Sequence, residues 1–135
     1  MKYLLDTNIC VYLLKKNPGV ISVFSAKKNA GAAISSITLA ELEFGVWNSA
    51  AYDKNKTALL TFLSLVEILS FDSKAAAEYG KICAFLRQKG TPIGQMDMLI
   101  AAHAKSRGLV VVTNNSCEFE RVEGLKLENW MKREA

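Results

Sequence analysis

Short apolar runs recur along the chain, each stopping at a polar or acidic residue and each followed by a stretch with helical spacing. Tyr3 to Leu5 reads as a short buried strand that stops at Asp6, and Ile9 to Leu14 opens a helix that runs out near "KKNPG", where Pro18 and Gly19 punctuate. A second helix covers Val20 to Lys28. "AAIS" (Ala32 to Ser35) predicts the second strand, and "TLAELEFGVWNSA" after it sets Leu39, Leu42 and Val46 on one helical face. A helix around Lys54 to Leu65 leads to the strand "VEIL". Asp72 caps a long helix, Ser73 to Gln88, which Gly90 and Pro92 end. A further helix, Met96 to Ser106, closes at Gly108 and passes to "LVVV", the clearest buried strand; "GLKLENW" offers a last short one.

Apolar strands alternating with helices imply a mainly parallel α/β sheet covered on both faces. No repeat, low-complexity tract or linker divides the chain, and 135 residues suit one domain, residues 1–135. Half of the residues are hydrophobic, 22% are charged and only two are proline, a globular composition. Asp6 interrupts any signal-peptide core, and no apolar run approaches the ~18 residues a membrane span needs. The expected location is therefore the cytoplasm, without membrane contact. Three cysteines, Cys10, Cys83 and Cys117, form no C-x-x-C pattern and support neither a disulfide framework nor a zinc knuckle. The formal charge of +4 permits contact with a polyanion.

Parallel sheets bind ligands beyond the carboxyl ends of their strands, and here acidic and polar residues gather at those ends. Asp6 alone reads as a helix cap. Thr38 and Glu41 have the spacing of a capping box, with Gly45 leaving space beside the Glu41 carboxylate. Glu43 is the rival acid, but two residues at ~100° each put it almost opposite Glu41. Asp97 sits at the opening of an apolar helix, where it also suits the helix dipole. "VVVTNNSCEFE" ends in Thr113, Asn114 and Asn115, with Glu118 and Glu120 beyond. If these ends converge, mutual repulsion raises the carboxylate pKa values unless a cation intervenes. Oxygen ligands without a His or Cys cluster favour Mg²⁺ or Mn²⁺ over zinc, and such ions commonly serve phosphate esters.

The segments "LLDTNI", "ISSITLAELEFG", "GTPIGQMDMLIAAHA" and "GLVVVTNNSCEFERVEGLKLENW" stand in an order and spacing that resembles a PIN-domain ribonuclease, and more closely the VapC toxins of bacterial type II toxin–antitoxin systems. The resemblance implies a three-layer α/β/α PIN domain with a central, mainly parallel sheet of four to five strands. It implies Asp6, Glu41 and Asp97 as the acidic metal-site residues, with Asp6 and Asp97 the principal Mg²⁺ ligands. Family members place a fourth acidic group in a T-x-D pattern where this chain has Asn115, which offers only a neutral oxygen; Glu118 is placed to contribute from the following turn. Thr7, Asn8 and Thr113 become groups that orient water or carboxylates.

The implied reaction is phosphodiester hydrolysis by metal-activated water attacking in line, leaving 5′-phosphate and 3′-hydroxyl ends. The implied substrate is structured RNA, with the tRNA anticodon stem-loop as best guess, and the consequence is inhibited translation. Arg87, Lys89, Lys105, Arg107 and Arg121 are candidate contacts to the RNA backbone. The implied partners are a VapB-type antitoxin that blocks the acidic crevice and a second copy of the chain in a homodimer.

His103, the only histidine, reads as packing or hydrogen bonding, Trp47 and Trp130 as core or interface aromatics, and Cys10 and Cys83 as inert packing groups. A haloacid-dehalogenase-type phosphatase would need Asp where the chain has Asn8, and a phosphoacceptor receiver would need Lys where it has Asn114 and Asn115. The remaining rival is a PIN-like module that holds RNA or an antitoxin without cutting.

Overall fold

A computed structural model describes residues 2–131. Tyr3–Leu5 (β1) is buried at every position and forms the middle of a five-stranded sheet with Ala32–Ser35 (β2), Glu67–Leu69 (β3), Val110–Val112 (β4) and Lys126–Glu128 (β5). The order is β3-β2-β1-β4-β5, and every pairing is parallel. Tyr3 stands opposite Ala32 and Val110, and Leu4 opposite Ala33 and Val111.

Because strand side chains alternate between faces, this register divides the core in two. Tyr3, Leu5, Ile34 and Val112 pack against Ile9, Phe24, Leu42 and Leu59 on one side. Those residues belong to helices Thr7–Leu14 (α1), Pro18–Lys27 (α2), Ser36–Trp47 (α3) and Tyr52–Leu63 (α4). Leu4, Ala33 and Val111 pack on the other side against Ile82, Ile100 and Phe119. These come from Ser73–Lys89 (α5), Gln95–Arg107 (α6) and Ser116–Phe119 (α7). The result is the expected three-layer α/β/α arrangement.

The chain steps from β1 outward to β2 and β3, then returns past β1 to lay down β4 and β5. Right-handed crossovers put the helices on opposite faces when the direction of travel reverses, which accounts for the two helical layers. The reversal also leaves β1 and β4 with connections that diverge at their carboxyl ends, the place where open α/β sheets form their ligand crevice. Asp6 and Thr113 are the first residues beyond those two ends.

The cap signals hold at Asp72, which accepts from Ala75 N at 3.0 Å, and at two glycines; Asn17, which the pattern did not single out, caps α2 by accepting from Val20 N at 3.1 Å. Gly90 and Gly108 end α5 and α6 at φ 70° and 66°, where a Cβ would be strained. The capping-box reading of Thr38 and Glu41 is overturned. The cap of helix α3 lies three residues earlier, at Ser35, which accepts from Ile37 N at 3.1 Å, so Thr38 lies inside the helix and Glu41 is free for other contacts. Helix α1 likewise begins at Thr7, directly after the Asp6 cap, and α7 is an additional turn the hydrophobic pattern does not announce.

Candidate metal-dependent active site

Asp6 is 5% exposed at the carboxyl end of β1. Its Oδ1 accepts from Thr7 N at 2.8 Å, capping α1, and its Oδ2 accepts the Thr113 hydroxyl at 2.8 Å. The helix-cap reading of Asp6 therefore holds, and the cap leaves its second oxygen to Thr113. Thr113, itself fully buried, also accepts from Asn115 N at 2.9 Å, which fixes the loop after β4 against β1.

Glu41 projects from α3 toward Thr7, whose Oγ1 donates to Glu41 Oε1 at 2.5 Å and lies 3.2 Å from Thr38 Oγ1. Glu43 is turned away, bound by Lys56 Nζ at 3.0 and 3.1 Å across to α4, as the helical period requires. A Cβ at Gly45 would meet nothing within 4 Å, so the side of Glu41 is open. Asp97 stands in the first turn of α6, where Asn115 Nδ2 donates to its Oδ2 at 3.1 Å. Its position is close to Gly94, whose added Cβ would lie 3.5 Å from Asp97 Oδ2.

These acids share one electrostatic environment. Burial pushes the Asp6 carboxyl up from 3.8 to about 6, and the charges of Asp97 and Glu41 push the same way, against the bonds from Thr113 and Thr7. Burial also raises Asp97; Glu118 and Glu41 add to the rise, while the Asn115 bond opposes it. Acids far apart in the chain thus lie close enough to feel one another's charge. Glu118 comes with them on α7: its Oε2 is buried without a hydrogen-bond partner, and Arg121 Nη1, at 3.6 Å, stands beyond hydrogen-bond range.

Among the described residues, no group of three or more His, Cys, Asp or Glu side chains is close enough to enclose an ion unaided. The donors present are nonetheless hard oxygens, and their mutual repulsion would be relieved by a cation. An ion bound through one or two carboxylates completes its shell with water, the habit of Mg²⁺. The residues fit such an ion.

Thr38 is a contributor the sequence reading assigned to a cap; its three-residue spacing from Glu41, on one helical face, was the available signal. Asn8 reaches across to the loop after β4, where its Oδ1 accepts from Asn114 N at 3.3 Å. Three of the candidate RNA contacts have partners within the chain. Lys105 Nζ donates to Glu123 O at 2.7 Å, Arg121 Nη1 to Pro92 O at 2.9 Å, and Lys89 Nζ lies 5.1 Å from the Phe85 ring centroid. His103 is buried, 2.8 Å through Nδ1 from Ser35 Oγ and edge-on to Phe71. Cys10 and Trp130 are core residues, whereas Trp47 is 71% exposed. No helix among the described residues is long and apolar enough to cross a membrane.

Known proteins share both the sequence and this architecture. The family model of the PIN domain matches residues 3–125. The tRNA(fMet)-specific endonuclease VapC of Salmonella typhimurium is 45% identical over 130 residues, covering 96% of this chain and 98% of that protein. Ribonuclease VapC2 of Rickettsia felis is 46% identical over 134 residues, covering 98% and 100%. Among solved structures, VapBC2 from Rickettsia felis bound to a DNA fragment from its promoter superposes with a TM-score of 0.91 at 44% identity, covering 96% of this chain and 99% of that one. VapBC-1 from nontypeable Haemophilus influenzae gives 0.88 at 35% identity, covering 98% and 100%.

Proposed function

Since the chain belongs to the PIN-domain family and, within it, to the VapC ribonucleases, we propose that it is a Mg²⁺-dependent endoribonuclease toxin with Asp6, Glu41 and Asp97 as its catalytic acids. The observation that carries this reading is the Asp6 carboxyl, buried at the end of the central strand and linked through Thr7 to Glu41 and through Thr113 and Asn115 to Asp97.

Asp6 and Asp97 would hold Mg²⁺, or Mn²⁺ in its place, with Glu41 nearby. When bound, the ion supplies positive charge to the phosphoryl oxygens and acidifies water. The chain's own groups set the rest. Thr7 and Thr113 orient Asp6, while Asn115 turns Asp97 by donating to Oδ2. Glu41, with Oε1 taken up by Thr7, has Oε2 free to receive the proton of the water that attacks phosphorus in line. Glu118 adds a further buried carboxylate oxygen beside Asp97. The products are 5′-phosphate and 3′-hydroxyl ends, and no covalent intermediate forms.

The substrate in this reading is structured RNA, tRNA cut in the anticodon stem-loop above all, and its loss inhibits translation in the cytoplasm. The tRNA(fMet)-specific relatives support that choice. Residues 1–135 act as one PIN domain, paired as a homodimer and held in a hetero-oligomer by a VapB-type antitoxin, as the VapBC complexes among the structural relatives support.

The test mixes the purified, antitoxin-free chain with a tRNA pool in Mg²⁺ or in EDTA, beside Asp6→Asn. Cleavage in Mg²⁺ alone, lost in the variant, is the expected result. Intact RNA that remains bound would instead identify a non-cleaving module.

A further inference from the structure

The rim of the crevice on the β5 side carries a chain of asparagine amides that the acidic site does not use. Asn8 Oδ1 accepts from Asn114 N at 3.3 Å, Asn114 Oδ1 accepts from Asn129 Nδ2 at 3.2 Å, and Asn129 Oδ1 accepts from Met131 N at 2.9 Å. A backbone N–H can only donate, so Asn8 and Asn129 must present oxygen to Asn114 and Met131. With Asn129 turned that way its nitrogen meets Asn114, which must answer with its own oxygen. The orientation of all three amides is thereby fixed.

The consequence is a one-sided surface. Each of the three amide oxygens is engaged, and among the described residues no hydrogen bond uses Asn8 Nδ2 or Asn114 Nδ2. Asn114 is exposed and Asn8 half-buried. Both adjoin the acids: Asn8 follows Asp6 by two residues, and Asn114 lies between Thr113, which bonds Asp6, and Asn115, which bonds Asp97.

We propose that Asn8 and Asn114 bind a backbone phosphate of RNA adjacent to the one that is cut, an inference that rests on the nuclease reading of the same crevice. The match is one of chemistry. A phosphodiester oxygen only accepts, the rim offers donors, and contacts to phosphate make up the greater part of the polar contacts proteins make to a nucleic-acid backbone. The donors are also neutral. A Lys or Arg at these positions would pair with the neighbouring carboxylates and compete with a cation for them, whereas an amide holds phosphate and leaves those charges in place.

The experiment uses the antitoxin-free chain carrying Asp97→Asn, so that RNA stays whole, and follows a fluorescein-labelled RNA hairpin by anisotropy over a series of salt concentrations. Adding Asn114→Ala is expected to weaken binding about fivefold to tenfold. The slope of log affinity against log salt should stay unchanged, because no cation is removed. Asn114→Asp keeps the acceptor for Asn129 but sets a negative charge against phosphate, and should weaken binding further. Melting temperatures report whether either variant has lost its fold; with Asn114 exposed, both should melt near the parent. Affinity in Asn114→Ala equal to the parent's overturns the rim, as does a loss accompanied by a changed salt slope. Cleavage of the same hairpin by the unsubstituted chain keeps the nuclease reading standing in either case. Neither binding nor cleavage by any form would overturn that reading, and the rim with it.

Discussion

The Thr113 hydroxyl donates to Asp6 Oδ2 at 2.8 Å while accepting the Asn115 N–H at 2.9 Å, so one buried side chain joins the acid after β1 to the loop after β4. The bond from Thr113 lowers the Asp6 pKa against the pull of burial. Thr113→Val removes both bonds at nearly constant volume. The acid limb of the pH–rate profile should then move to higher pH, with activity at neutral pH reduced about tenfold and stability lowered by about 1–3 kcal/mol. Thr113→Ser should restore most of both. A pH–rate profile and urea melts on the two variants measure this.

Asp6 also predicts a conflict between stability and activity. Its carboxyl is raised in the folded state, from 3.8 to about 6. Its contribution to folding is therefore fully present below about pH 4 and lost as pH rises through 6, leaving the metal-free protein up to about 3 kcal/mol less stable at neutral pH. Asp6→Asn removes that dependence. In EDTA the variant should be more stable than the parent at neutral pH and similar to it at pH 4, while cleavage is abolished at every pH. Denaturation curves across that range would contradict this reading if the difference between the two proteins were independent of pH.

Glu41 and Glu43 offer an internal control, being acids of identical chemistry on one helix. Glu41 accepts from Thr7 beside Asp6, whereas Glu43 pairs with Lys56 on the far side. Glu41→Gln should lower kcat by at least about a hundredfold, the scale of removing a positioned proton acceptor. Glu43→Gln should leave cleavage intact and cost under about 1 kcal/mol of stability, as expected for a half-exposed ion pair. Initial rates on one RNA substrate separate the two.

The Glu41–Glu43 distinction was legible in the sequence because a helix has a fixed angular period. The inner strands were legible for a similar reason: three or four apolar residues ending at a polar one suit a strand covered on both faces, as β1, β2 and β4 are, whereas the edge strands β3 and β5 are exposed or half-buried at most positions. The contacts that complete the site were not. Whether Ser35 or Thr38 opens α3 depends on how sharply the chain turns out of β2, since either residue can cap. Helix α7 has four residues, too few to show a period, yet it brings Glu118 to Asp97. The amides of Asn8, Asn114 and Asn129 meet only through the order and register of β1, β4 and β5, which no local pattern encodes.

Asn115 is the position where the resemblance to the PIN-domain ribonucleases would place an acid, and the geometry says what restoring one should do. Its Nδ2 now donates to Asp97 Oδ2 at 3.1 Å, a bond that lowers the Asp97 pKa against burial and the Glu118 charge. Asn115→Asp exchanges that donor for a second carboxylate facing the first. Without metal, one proton should then be shared between the two acids or they should repel, costing about 1–2 kcal/mol at neutral pH relative to the parent. With a divalent ion the sign reverses, because an added anionic oxygen strengthens a hard cation's site. The rise in melting temperature on adding Mg²⁺ or Mn²⁺ should accordingly be larger in Asn115→Asp than in the parent, from a lower starting point in EDTA. A smaller rise would mean that Asn115 does not face the ion and serves Asp97 only as a hydrogen-bond donor.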